Sequence, residues 1–149
     1  MSQPVLLPRL TAVTLGVRDF GASVRFYEAL GFARRFRATG DEIAFFDAGG
    51  VVLALYGWDR LAQDACVAET LPSAGFRGTT LAWNCASRVE VDAAFGRALA
   101  AGATLRKTAQ ATPWGGYSGY FADPDGHPWE IVHAPGFSFS PEGRLLLPD

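Results

Sequence analysis

The chain has 149 residues, of which 49% are hydrophobic and 19% charged, with a mean hydropathy of +0.11. Such a composition can build a core, which excludes a disordered chain and leads us to expect one compact domain, residues 1–149. Thirteen basic side chains against fifteen acidic give a formal charge of −2, so no positive field exists to attract a nucleic acid backbone.

The N-terminal stretch MSQPVLLPRLTAV holds two prolines, no basic region and no long apolar run. Neither an export signal nor a membrane span is therefore expected, and the cytoplasm is the expected location. Cys66 and Cys85 are the only cysteines and form no CxxC pair, which favours reduced, packed thiols over a disulfide framework.

LTAVTLGV (residues 10–17) alternates as a half-buried strand does, with Val13, Leu15 and Val17 on one face and Ala12, Thr14 and Gly16 on the other. Asp19 caps a helix whose apolar positions Phe20, Val24, Tyr27 and Leu30 recur at helical spacing, and Gly31 stops it. FARRFRAT, EIAFFDA and, after the turn DAGG, VVLALYG follow as strands. Within the first of these, Arg34, Arg35 and Arg37 form the only basic run, read as a solvated or edge-protecting strand. The order to this point is β-α-β-β-β.

After a short helical stretch, DRLAQDACV, and the loop ETLPSAGFRG, the same order returns. TTLAWNCA is a strand, and SRVE (residues 87–90) is a capping box opening a helix that carries Val91, Phe95 and Leu99 and ends at Gly102. ATLRKTAQ, YSGYFA, the turn DPDG and HPWEIVH complete a second β-α-β-β-β. The period is too long for a solenoid and indicates a duplicated unit. The expected class is α+β: two βαβββ modules, about 9–57 and 78–133, joined by a linker over 58–77, followed by a tail over 134–149. Helices on one face would leave the other faces of a curved mixed sheet free to surround a cup.

Two stretches, GVRDFGASVRFYEALGF (residues 16–32) and YFADPDGHPWEI (residues 120–131), resemble the vicinal oxygen chelate superfamily. That group includes glyoxalase I, bleomycin-resistance proteins, extradiol dioxygenases and fosfomycin-resistance proteins. The resemblance spans about residues 9–133 and implies the glyoxalase-like fold, while one scaffold there serves very different chemistries. It also implies where a divalent ion would be held. At those positions stand Ala12, Ala54, Thr80 (Thr79 if the register shifts by one) and Glu130. Sites for zinc or non-haem iron ordinarily use three protein donors. One carboxylate among two methyls and a hydroxyl leads us to expect no divalent metal and no other cofactor. His127 lies in a turn and His133 on the strand face opposite Glu130, so neither histidine restores the set.

Glu130 is then either a carboxylate facing a wet cup or a base whose proton affinity is raised by an apolar pocket. Thr14, Tyr56, Thr80, Asn84, Trp114, Tyr117, Tyr120 and Glu130 are the candidate ligand-binding residues, a mixture of flat apolar walls and a few polar groups that suits a planar or hydrophobic small molecule. Trp129 and Ile131 belong to the core. The three leucines of the tail would be an apolar patch if left in water, and relatives are commonly homodimers, so a homodimer is expected. Two readings follow. One is a metal-free binding protein of the bleomycin-resistance type; the alternative is a lyase, isomerase or oxidoreductase of glyoxalase or dioxygenase descent that uses Glu130 as metal ligand or general base.

Overall fold

A computed structural model describes residues 6–68 and 75–149. Residues 1–5, and most of the loop expected over 69–78, lie outside the described residues. Strand β1 (Ala12–Val17), helix α1 (Phe20–Leu30), and strands β2 (Ala33–Arg35), β3 (Ile43–Asp47) and β4 (Val52–Gly57) form the first module. Helix α2 (Trp58–Asp64) leads into the second, built of β5 (Leu81–Asn84), α3 (Arg88–Ala100), β6 (Thr104–Ala111), β7 (Tyr117–Ala122) and β8 (Pro128–His133). The tail adds a small antiparallel hairpin, β9 (Ser138–Phe139) and β10 (Leu145–Leu146).

Each module is a four-stranded mixed sheet of the same design, ordered β1-β4-β3-β2 and β5-β8-β7-β6, with the first and fourth strands parallel. The two sheets are separate: β1 and β5 are edge strands with no backbone ladder between them. Among the described residues no helix is long and apolar enough to cross a membrane.

Local chemistry sets the helix ends. The Ala22 amide donates to Asp19 Oδ1 at 3.0 Å, and Gly31, at φ 107°, closes α1 in the left-handed region that glycine tolerates. At α3 the Glu90 amide donates to Ser87 Oγ at 3.1 Å, while Glu90 Oε2 accepts from the Ala86 amide at 2.7 Å. The capping box thus closes one residue further back than its usual partner.

Two expectations are corrected. The strand read through FARRFRAT ends at Arg35, because Phe36 turns left-handed at φ 51° into a 3-10 turn over Arg37–Thr39, so Arg35 and Arg37 share no strand face. Cys66 is exposed, at φ 54° after the end of α2, and only Cys85 is packed. Burial, reinforced by the Glu90 carboxylate, pushes the Cys85 thiol up to about 11. The leucines of the tail remain exposed, Leu147 most of all.

Both sheets turn one face to a single core in which α1 and α3 meet. Leu15, Phe46 and Leu55 from the first sheet and Phe121, Trp129 and Ile131 from the second pack around Tyr27, Phe26 and Phe95. Phe121 stacks on Trp129 at 6.0 Å, and Tyr27 contacts Trp129 at the same distance. Trp129 and Ile131 are buried here, as the alternation of HPWEIVH requires.

The turn DPDG, between β7 and β8, docks on the first helix. Asp125 accepts from the Arg18 amide at 2.9 Å and from Ser23 Oγ at 3.0 Å, and its carboxylate pairs with the Arg18 guanidinium. Asp123 accepts from Tyr27 Oη at 2.6 Å and from the Asp125 and His127 amides. Both aspartates are buried. Burial holds the Asp123 carboxyl above its ordinary range, and burial together with Asp123 pushes the Tyr27 phenol well up.

A bulge in β6 between Lys107 and Gln110 lies over Gly119 of β7. A Cβ there would meet the Lys107 carbonyl at 2.5 Å and Phe95 Cζ at 2.8 Å, whereas one at Gly96, inside α3, would meet nothing within 4 Å. Gly119→Ala should therefore cost about 2–4 kcal/mol by forced overpacking. Gly96→Ala should stabilise by about 1 kcal/mol through helix propensity. Urea denaturation of the two variants checks both signs.

Candidate functional site

The strand pairings place every candidate residue on a definite face. In the second sheet Ala82 pairs with Glu130 and Glu130 with Tyr120, so these three lie away from the core. Asn84 shares that face two residues on from Ala82. Tyr120 Oη donates to Glu130 Oε2 at 2.8 Å. That hydrogen bond, aided by partial desolvation and the carboxylate's charge, raises the Tyr120 phenol above its ordinary value.

In the first sheet Thr14 pairs with Ala54 and Gly16 with Tyr56, which puts Thr14 and Tyr56 on the face opposite α1. Helix α2 closes on the end of that face. A Cβ at Gly16 would meet Trp58 Cε3 at 3.2 Å, so glycine there permits the approach. Sequence periodicity did not place α2 against this face, since Gly16 and Trp58 are far apart along the chain.

Other candidates go elsewhere. Tyr117 pairs with His133 and donates its hydroxyl to Asp92 of α3 at 2.6 Å, with the Arg88 guanidinium over its ring. It therefore faces α3 and does not join Tyr120 and Glu130. Trp114 is exposed on the turn before β7, folded over Gly116 so closely that a Cβ there would collide with its ring. Thr80 is exposed, just ahead of β5.

The main cavity is a cleft of about 550 Å³ where the two sheets approach. Val13 and Leu53 from the first sheet and Leu81, Trp83 and Trp129 from the second wall it, and the tail adds Leu145. The polar residues along it are Asp47, Asn84 and Arg97. Asn84 is the one sequence candidate that lines this cleft. Trp83 and Trp129 were legible as large apolar side chains, but nothing in the periodicity distinguishes a core wall from a cleft wall.

The donors at the positions where the resemblance implies a divalent ion do not fit one. Ala12 and Ala54 offer methyl groups, and Glu130 is engaged by Tyr120. Among the described residues no three or more His, Cys, Asp or Glu side chains cluster as metal ligands would. Each imidazole also has another partner: His133 Nδ1 meets the Cys85 carbonyl at 3.2 Å, and His127 lies between the Gly16 carbonyl and Arg77.

Known proteins match this arrangement. The family model for the Glyoxalase/Bleomycin resistance protein/Dioxygenase superfamily matches residues 9–131. A glyoxalase-related enzyme from Fulvimarina pelagi is 39% identical, with a TM-score of 0.84 over 95% of this chain and 99% of its own. A glyoxalase/bleomycin resistance protein/dioxygenase from Nocardioides is 32% identical, with a TM-score of 0.71 over 87% of this chain and 85% of its own. A family enzyme from Burkholderia phytofirmans PsJN is 26% identical, with a TM-score of 0.72 over 85% of this chain and 98% of its own. No curated protein matches the chain.

Glu130→Gln should return the Tyr120 phenol toward its ordinary value by replacing the charged acceptor that holds its proton with a neutral amide. Alkaline difference spectroscopy checks this: one tyrosine should titrate at lower pH in the variant than in the parent, with the other three unmoved.

Proposed function

The chain belongs to the Glyoxalase/Bleomycin resistance protein/Dioxygenase superfamily, and we propose that within it the protein binds a hydrophobic or aromatic small molecule between its two modules, without a divalent metal. The observation that carries this reading is the cleft of about 550 Å³ with walls from both sheets. Its volume falls in the range of sites for small organic ligands, and its surface is mainly aliphatic and indole with few polar groups, the usual balance for such sites. Burying a bicyclic aromatic there would remove apolar surface worth about 25 cal/mol per Å² from water on both sides of the contact.

The hydrogen bond between Tyr120 and Glu130 favours a second reading: a lyase, isomerase or oxidoreductase in which Glu130 moves a proton and Tyr120 orients it. A positioned base of this kind contributes about 10²–10⁴-fold to a rate, so it needs further groups to make an enzyme. The exposed leucines 145–147 support a homodimer.

Thermal denaturation with 1-naphthaleneacetamide, a neutral bicyclic probe, tests the binding reading. The melting temperature should rise by mass action, equally with and without EDTA, and Trp83→Ala should weaken the affinity about tenfold through lost wall contact. Binding that required an added divalent ion and vanished in Glu130→Gln would overturn it in favour of the second reading.

A further inference from the structure

Arg97 stands out among the groups lining the cleft. It projects from α3 across the C-terminal end of α1, where its Nη1 donates to the Leu30 carbonyl at 3.5 Å, the outer limit of a hydrogen bond. Gly31 makes room for it, since a Cβ at that position would lie 2.9 Å from Nη1. The guanidinium is thus held in place by the end of a helix.

It is also electrostatically unspent. Among the described residues the ion pairs are Arg18 with Asp125 and Arg37 with Glu28, and Arg97 takes part in neither. A guanidinium offers five N–H donors, and only one here meets an acceptor. Asp47, the cleft's acidic side chain, is already engaged by the Gly49 amide at 3.3 Å.

Resting on the cleft reading above, we propose that the ligand is an aromatic or aliphatic carboxylate whose apolar body lies between Leu81, Trp83 and Leu53 and whose carboxylate is anchored by Arg97. A carboxylate presents two coplanar oxygens that match the fork of a guanidinium. Its single negative charge balances the one cation.

Isothermal titration of 1-naphthaleneacetate against 1-naphthaleneacetamide tests the proposal, because the two differ only in the group offered to Arg97. The parent protein should bind the acetate about tenfold more tightly, a difference of about 1.4 kcal/mol, and the preference should shrink at high salt. Arg97→Gln should bring the acetate's affinity down to about that of the amide, and an unchanged circular dichroism spectrum and melting temperature show that the variant is folded. Arg97→Lys should retain part of it. Equal affinity for the two probes in the parent, or a preference that survives Arg97→Gln, overturns the carboxylate assignment and leaves the cleft reading intact. Failure of both probes to bind overturns the cleft reading and this proposal together.

Discussion

The two halves of this protein depend on a pair of buried carboxylates. Asp123 and Asp125, two residues apart on one turn, carry hydrogen bonds from Arg18, Ser23 and Tyr27 of the other module. The aspartates lose most of their hydration and regain it as fixed donors, an exchange that favours folding only when every lone pair is served. Removing one hydroxyl partner from such a group typically costs about 1–3 kcal/mol because a buried acceptor is left unsatisfied. The arrangement therefore tolerates one relative placement of α1 and the second sheet. The tilt of Tyr27 against Trp129, and with it one wall of the cleft, follows from that placement.

Much of this was readable from residue order. The alternation of LTAVTLGV and HPWEIVH assigned Leu15, Val17, Trp129 and Ile131 to the core, and Asp19, Gly31 and Ser87 marked helix ends by the chemistry of unpaired amides. The duplication was visible because both halves repeat those signals. Tyr117 was separable too: it stands three residues from Tyr120, and a spacing of three on a strand reverses the face. Other features were not readable. Phe36 adopts a left-handed conformation that bulky side chains rarely take, so no propensity announces it. The approach of α2 to Gly16 and the cleft itself arise from contacts between residues distant in sequence, which a one-dimensional period cannot encode.

The halves share a blueprint and have diverged in what they do with it. In the first, α2 covers part of the outer face at Gly16, and the positions facing outward include Ala12, Thr14, Ala54 and Tyr56. In the second, that face keeps Glu130 and Tyr120 in a hydrogen bond. The outer faces of the two modules thus carry different side chains, while the cleft draws on both. A substitution on β8 that faces outward alters Glu130's surroundings, and the adjacent inward position alters the Trp129 wall.

The missing backbone ladder between β1 and β5 has a mechanical meaning. Hydrogen-bonded strands keep a spacing of about 4.8 Å, so a continuous sheet would fix the aperture at that seam. Here no ladder joins the two edge strands, so strand pairing sets no spacing there. The protein thus combines a latch of fixed donors at the aspartate turn with edge strands that no ladder holds together.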